Sequence, residues 1–149
     1  MPGQPHRRAV TTPDQRLDRL EAIEAIRQIP QRFARAIDER DIDALSLLFD
    51  PEGEIETGGR AVPVTDFLAD LRDRPRAFDT SMHLLADPLV EVDAAAGTAS
   101  MDVYALVVQV GRADGGSDMM LGVRYLHALR RAADGWRIVH RASDIRWIR

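Results

Sequence analysis

The stretch TASMDVYALVVQVGRADGGSDMMLGVRYLHALRR, residues 98–131, decides the fold. Apolar residues recur with a period of two in its two long runs, Thr98 to Gly111 and Met119 to Arg131. This period is typical of strands that bury one face. The segment between the runs, Arg112 to Ser117, is rich in Gly and Asp, which favours a turn. The stretch therefore predicts two long strands joined by a short connection.

Two further strands flank this pair along the chain. They are Asp79 to Val92 before it and Trp136 to Ile148 after it, with turns at Asp93 to Gly97 and at Ala133-Asp134-Gly135. Strands joined by short turns pair antiparallel with their neighbours in sequence. Residues 79–148 therefore predict a four-stranded antiparallel meander.

The N-terminal half of the chain has the period of a helix instead. An apolar face begins with Leu17, Leu20, Ile23, Ile26 and Ile29. It continues through Phe33, Ala36 and Ile37, as one side of an amphipathic helix does. Pro30 lies inside this run. We expect it to kink the helix or split it near Ile29, because proline lacks an amide donor and clashes with the preceding turn.

Two shorter helices are predicted after the first. Asp41 is a suitable N-cap for the second helix. That helix buries Ile42, Leu45, Leu48 and Phe49. Thr65 and Asp66 open the third helix, which ends before Pro75.

Between these two helices the sequence predicts a turn and a small hairpin. The turn is Asp50-Pro51-Glu52-Gly53, and the hairpin pairs Glu54 to Thr57 with Arg60 to Pro63 across Gly58-Gly59. Three helices followed by a long meander indicate an α+β fold. In such a fold the helices pack on one face of a curved antiparallel sheet.

The composition predicts one soluble domain. A chain of 149 residues is the size of a single domain with its own core. We expect residues 1–13 to be a disordered lead-in, since they hold three prolines and no apolar period, and residues 14–149 to form the domain. There is no cysteine, no signal-peptide pattern in the first twelve residues and no apolar run near the ~20 residues that span a bilayer. These features predict a cytoplasmic protein without a membrane partner.

The charge distribution argues against a nucleic-acid partner. The chain has 24 acidic and 20 basic residues, for a formal net charge of −4. Its basic residues are spread along the sequence, and only 5% of residues are aromatic. It therefore offers neither a strong field toward phosphate nor a base-stacking platform.

Four segments together resemble the SnoaL-like branch of the nuclear-transport-factor-2-like superfamily. They are Ala36-Ile37-Asp38-Glu39-Arg40-Asp41, Ala44 to Asp50, Thr80-Ser81-Met82-His83 and Gly135-Trp136-Arg137-Ile138. The resemblance extends over roughly residues 15–148. It implies a cystatin-like α+β cone, three N-terminal helices on a strongly curved antiparallel sheet, with a cavity at the open end. It does not single out one function, because the family includes dehydratases, dehydrochlorinases, cyclases, isomerases, epoxide hydrolases and non-catalytic binders.

The resemblance implies a catalytic pair, His83 and Asp38. Histidine at the first position is the proton-abstracting base in dehydratase and dehydrochlorinase members. Its ordinary pKa near 6.5 suits proton transfer at neutral pH. Aspartate at the second position would accept the Nδ1 proton of the histidine and stabilise the imidazolium. The alternative is a structural histidine and a solvated or capping aspartate beside Glu39 and Asp41.

Arg141 and Asp102 are weaker candidates of the same kind. The resemblance implies that Arg141, on the last strand, faces the pocket and stabilises an enolate or a departing anion. It also implies that Asp102 orients or protonates a leaving group. The alternatives are a solvated edge of arginines for the first and a solvent-facing charge for the second.

Phe33 departs from the family pattern. Several dehydratase-like relatives have a tyrosine at this place, and phenylalanine can pack against substrate but cannot donate a proton. Tyr104 and Tyr125 could replace it only if their strand phases point inward. Together with Ser143, these three residues are the predicted substrate-binding set.

No cofactor or metal site is predicted. His83, His127 and His140 are spread over the meander without the spacing of a zinc signature. The pairs Gly58-Gly59 and Gly115-Gly116 are interpreted as turns rather than phosphate-binding loops, since neither stands between a strand and a helix.

The leading interpretation is a cofactor-independent lyase or isomerase for a small hydrophobic substrate, carbonyl-bearing or polycyclic. Elimination, double-bond migration and ring closure all begin with one proton abstraction. The alternative is a non-catalytic ligand-binding or assembly module, such as the small structural subunit of a ring-hydroxylating dioxygenase. Apolar residues such as Leu106 and Val108, expected on the convex face of the sheet, predict a homodimer or homotrimer.

Overall fold

The computed structural model describes residues 12–149 as four helices and seven strands. In chain order these are α1 Pro13–Arg27, α2 Ile29–Glu39, α3 Ile42–Ser46, β1 Phe49–Thr57, β2 Arg60–Pro63, α4 Val64–Asp73, β3 Phe78–Leu85, β4 Leu89–Asp93, β5 Thr98–Gly111, β6 Met119–Ala132 and β7 Gly135–Ile148. Most of the predicted lead-in lies outside the described residues, and Pro13 is already the first residue of α1. The α+β class predicted from the sequence is confirmed.

The first predicted helix is split into α1 and α2, as the position of Pro30 indicated. The side chain of Thr12 caps α1 by accepting a hydrogen bond from the amide of Gln15. Gln28 separates the two helices, which places Pro30 in the first turn of α2, where the missing amide proton has no helical acceptor. At the other end of α2, Arg40 has a left-handed backbone with φ 56°, and this ends the helix.

The other helices begin as predicted, but α3 is shorter than expected: it ends at Ser46, and Phe49 is the first residue of β1. Asp41 caps α3 by accepting a hydrogen bond from the amide of Ala44 at 2.9 Å. The helix α4 begins one residue before Thr65 and ends at Asp73, before Pro75. None of the helices within residues 12–149 is long and apolar enough to cross a bilayer.

The seven strands form one sheet, in the order β2-β1-β7-β6-β5-β3, with β4 also paired to β5. The hairpin of β1 and β2 has the predicted register, with Thr57 opposite Arg60. The sheet is mixed and mostly antiparallel, because β1 runs parallel to the last strand, β7. The prediction of a strictly antiparallel sheet is therefore wrong for the pair of β1 and β7. Parallel pairing needs a long connection, and the chain between β1 and β7 supplies one.

Two local predictions are corrected. The predicted strand from Asp79 to Val92 is broken at residues 86–88, and β3 and β4 pair with successive parts of β5. Pro88 lies at this break. Proline has no amide proton to donate to a strand ladder, so it interrupts the predicted strand. The predicted turn from Asp50 to Gly53 is an irregular part of β1, with a register shift between Phe49 and Glu54. Such a bulge adds residues to one strand without reversing the chain.

The sheet has two faces with different partners. Met101 and Val107 on β5 are almost fully buried and define the inner face, on which the helices pack. Tyr104 and Leu106 on the same strand define the outer face, because side chains alternate along a strand. The main core lies between helices and inner face, and its fully buried members include Ile26, Leu45, Met101, Leu129 and Ile138. The functional side chains lie on the inner face.

Candidate active site

A cavity of about 390 Å³ lies between the inner face of the sheet, α2 and α4. Most of its wall is apolar or aromatic, including Phe33, Ile37, Phe67, Leu71, Phe78, Val107, Leu121, Val123, Tyr125 and Ile145. Ten polar or charged side chains complete the wall, among them Asp38, His83 and Arg141. A mainly apolar cavity of this volume with convergent polar groups is typical of a small-molecule site.

His83 and Asp38 meet in this cavity across 45 positions of sequence. His83 lies on the inner side of β3 and Asp38 in the last turn of α2, which packs against that strand. Asp38 Oδ1 lies 2.7 Å from His83 Nδ1. Asp38 Oδ2 accepts a hydrogen bond from the backbone amide of His83 at 2.9 Å. Two contacts from one carboxylate fix both the ring and the strand that carries it.

This arrangement sets the chemistry of the imidazole. With the Nδ1 proton donated to Asp38, the Nε2 atom carries the lone pair. Burial lowers the pKa of His83 below its usual 6.5, the Asp38 carboxylate opposes this shift, and the charge of Arg141 adds to it. The ring is therefore neutral at pH 7, and a neutral imidazole held by a carboxylate can accept a proton.

Arg141 on β7 provides a positive charge at the same cavity. Only 5% of this residue is exposed. Its guanidinium lies between two rings, 4.3 Å from the centroid of Phe33 and 4.0 Å from that of Tyr125. Nη1 donates to Ser143 Oγ at 3.2 Å, and Nε has no hydrogen-bond partner in the described part of the chain. Burial lowers the pKa of Arg141.

The aromatic residues hold this guanidinium in place. Phe33 and Tyr125 are both buried and line the cavity with Ser143. Burial also raises the pKa of the Tyr125 hydroxyl, so it stays protonated at neutral pH. Cation–π contacts of this kind favour a cation that has been taken out of water.

Asp102 and Tyr104 lie elsewhere, which corrects their predicted place in the pocket. Both occupy the outer face of β5, opposite Leu126 and Arg124 of β6. Asp102 accepts hydrogen bonds from Arg124 Nε at 2.9 and 3.0 Å. Tyr104 is 55% exposed and lies under the same guanidinium. Strand phase explains the difference, since neighbouring residues point to opposite faces.

The family of the chain follows from its sequence match as well as from its fold. The model of the SnoaL-like domain matches residues 18–142. The chain belongs to the SnoaL-like family. Comparison of this SnoaL-like chain with curated protein sequences gives no match.

Solved structures share the fold of this SnoaL-like chain at low sequence identity. A type 2 hexachlorocyclohexane dehydrochlorinase has a TM-score of 0.79 and 15% identity, covering 90% of this chain and 91% of that chain. A Novosphingobium aromaticivorans protein assigned as a scytalone dehydratase has a TM-score of 0.77 and 13% identity, covering 90% of both. A nuclear-transport-factor-2-like protein with a cystatin-like fold, from the same species, has a TM-score of 0.75 and 27% identity, covering 94% and 92%. These values show a common fold and leave the activity of this SnoaL-like chain open.

His127 is a buried group that sequence reasoning did not place near the site. It lies opposite Arg141 in the β6–β7 ladder, so both point to the inner face. It is 6% exposed, and its Nδ1 has no partner in the described part of the chain. Burial, with a further contribution from Arg141, lowers the pKa of His127 to about 3. The sequence around it carries no signal for this position, which depends on strand register.

Sequence reasoning also missed three arginines in the cavity wall, Arg40, Arg74 and Arg76. They follow the C-terminal ends of α2 and α4, and only the fold brings those ends together. Within residues 12–149 no three His, Asp or Glu side chains are grouped closely enough to hold a metal ion.

Proposed function

We propose that this SnoaL-like protein is a cofactor-independent lyase or isomerase that removes a proton beside a carbonyl group. The observation that carries the proposal is the 2.7 Å contact between His83 Nδ1 and Asp38 in a largely apolar cavity. A neutral imidazole oriented by a carboxylate is a general base of suitable strength at pH 7. The lyases among the structural neighbours share this fold and agree with the proposal.

The proposed reaction begins with transfer of a carbon-bound proton to His83 Nε2. The electron pair of the broken C–H bond moves into the adjacent carbonyl, and the resulting enolate oxygen faces Arg141. A buried guanidinium stabilises such an oxyanion strongly, because little water competes with it. Asp38 stabilises the imidazolium that forms at the same time.

Three outcomes are possible from this enolate, and the substrate decides among them. In an elimination, the electron pair expels a group from the neighbouring carbon, and His83 returns its proton to that group. In an isomerisation, His83 returns the proton to a different carbon of the enolate. In a cyclisation, the enolate carbon attacks a second carbonyl, and His83 protonates the alkoxide. Each path restores neutral His83 without an added oxidant or reductant.

Exchange of carbon-bound hydrogen with solvent tests the first step directly. Cyclic ketones and 1,3-dicarbonyl compounds are incubated with the protein in D₂O, and deuterium uptake is followed by NMR. We expect the wild type to catalyse uptake and His83→Gln to lower the rate by about 10²–10⁴-fold. His140→Gln is the matched control, because His140 does not line the cavity.

Two results of this experiment would contradict the proposal. Uptake by His83→Gln at the wild-type rate would exclude His83 as the base. Binding of the same compounds without any exchange would favour the alternative, a non-catalytic binding module.

We also propose that the protein works as a homodimer or homotrimer joined through the outer face of its sheet. Eight exposed apolar side chains of the described residues lie on that face, namely Met82, Leu84, Leu89, Tyr104, Val110, Met120, Leu126 and Trp147. An apolar surface this extensive is typical of a protein interface. Light scattering should give two or three times the chain mass of 16.6 kDa.

A further inference from the structure

We propose that the substrate of this site is an organic anion: a carboxylate on a mainly apolar body, whose negative oxygens bind Arg141. This inference rests on the proposed function and narrows its substrate class. A neutral ketone and an organic acid would both satisfy the proton-transfer step. The charges around the cavity favour the acid.

The buried charge of Arg141 lacks a counter-charge in the described part of the chain. Its guanidinium is buried and forms no ion pair within residues 12–149. The one carboxylate in the cavity wall is that of Asp38, whose two oxygens bind the ring and the amide of His83. Burying a cation without a partner is unfavourable because the charge loses its hydration, and an anionic ligand removes much of that cost.

The geometry of the guanidinium also favours a carboxylate. The N–H groups of a guanidinium lie in its plane and donate from its edge, while its faces stack on rings such as those of Phe33 and Tyr125, 4.3 and 4.0 Å from the central carbon. One edge atom, Nη1, binds Ser143, and Nε is without a partner in the described chain. A carboxylate matches the edge of a guanidinium, since its two oxygens can accept two parallel N–H bonds.

The cavity wall as a whole carries an excess of positive charge. It contains four arginines, Arg40, Arg74, Arg76 and Arg141, and a single carboxylate, that of Asp38. The chain itself is acidic, with a formal net charge of −4. Positive charge is therefore concentrated around the cavity, and such a field attracts anions from solution.

The other arginines of the cavity wall keep much of their charge available. Arg40 donates to the backbone carbonyls of Leu71 and Arg74, and Arg76 donates to the carbonyl of Glu39 at 3.1 Å. A carbonyl fixes a guanidinium without neutralising it. Arg74 is different, because it forms an ion pair with Asp70. Two cations without an acidic partner in the described chain thus lie in the wall, besides Arg141.

The remaining wall fits the apolar body of such an acid. Phe67, Leu121, Val123 and Ile145 offer only hydrocarbon surface to a ligand. Proton abstraction beside the carboxylate adds negative charge to the oxygens that Arg141 already binds. The same guanidinium then holds the substrate and stabilises the charged intermediate.

The test compares matched acids and amides as ligands. The probe pairs are 2-naphthoate with 2-naphthamide, and benzoate, cinnamate and cyclohexenecarboxylate each with its amide. Calorimetric titration gives the dissociation constants for the wild type at low salt. We expect at least one acid to bind about tenfold or more tightly than its amide, since a hydrogen bond to a charged partner is the stronger kind. The proposal is overturned if every amide binds as tightly as its acid, or if no acid binds below 10 mM.

Variants assign this preference to a residue. In Arg141→Met the acid and its amide should bind equally, while His83→Gln should keep the wild-type preference. Retention of the preference in Arg141→Met would overturn the assignment. The wild-type comparison needs no variant, so it decides the substrate class even if Arg141→Met does not fold. Failure of the proton-transfer proposal would appear separately, as unchanged deuterium uptake in His83→Gln.

Discussion

Asp38 and Asp102 each bind a basic side chain, one on the inner side of the sheet and the other on its outer face. Asp38 binds a histidine, which can gain and lose a proton near neutral pH. Asp102 binds Arg124 through both oxygens, and this contact lowers the pKa of Asp102. An arginine does not lose its proton in water, so the outer pair is a fixed ion pair. The same residue type thus orients a titratable side chain on one face and forms a fixed ion pair on the other.

Replacement of each aspartate by asparagine should give the largest contrast between the faces. Asp38→Asn keeps the size of the side chain but can offer its NH₂ group to Nδ1, which favours the wrong tautomer of His83. We expect the rate of deuterium uptake to fall by roughly 10²–10⁴-fold. Asp102→Asn should change that rate less than about twofold and the unfolding free energy by about 1 kcal/mol or less, as for an ion pair that solvent still reaches. Rates come from NMR and stabilities from urea titration.

The pH profile of the two variants adds a second readout. In the proposed reaction neutral His83 is the active form, so the wild-type rate should fall as the pH drops through a pKa below 6.5. Asp38 opposes the lowering of that pKa. In Asp38→Asn the acid limb of the pH–rate profile should therefore move to still lower pH. A limb above pH 6.5, or an equal loss of rate in Asp102→Asn, would contradict the functional difference between the faces.

His127 and His140 provide a second contrast, in stability at acid pH. The pKa of His127 is lowered to about 3 in the folded protein, against 6.5 in the unfolded chain. The unfolded state therefore binds a proton first, and stability is lost as the pH falls from 6.5 toward 3. At pH 4 the loss from His127 is roughly 3 kcal/mol.

Substitution of His127 by Phe should remove this part of the acid sensitivity. We expect a smaller drop of unfolding free energy between pH 7 and pH 4 than in the wild type, measured by urea titration at each pH. His140→Gln is the control, since the His140 side chain is 39% exposed beside Glu56. An unchanged drop in His127→Phe would show that His127 is not the buried neutral group.

The periods of the sequence predict the elements better than their arrangement. The split at Pro30, the cap at Asp41 and the bounds Thr98–Gly111 of β5 depend on residues close in sequence, and the structure confirms them. The parallel pairing of β1 with β7 depends on the packing of the whole chain. No local pattern encodes such a contact.

The residues of the candidate site also divide into those that the sequence predicts and those that only the whole fold determines. The resemblance gave the positions of His83 and Asp38, which the fold brings into contact. It failed for Asp102 because Val103 to Val108 is apolar on both faces, so the alternation that sets strand phase is obscured. His127 gave no signal, since its neighbour Arg141 is reached only through the register of β6 and β7.

The last and smallest contrast concerns the apolar outer face of the sheet. Leu84 is 51% exposed on the outer face, and Leu20 is 60% exposed on α1. Either residue replaced by Asp should change the stability of an isolated chain by about 0.5 kcal/mol or less, because neither is buried. If copies of the chain meet on the outer face, a carboxylate at position 84 is buried without a partner there and should separate them. Light scattering should then report 16.6 kDa for Leu84→Asp and the wild-type mass for Leu20→Asp. Equal masses for the two variants would mean that the apolar outer face is not the site of assembly.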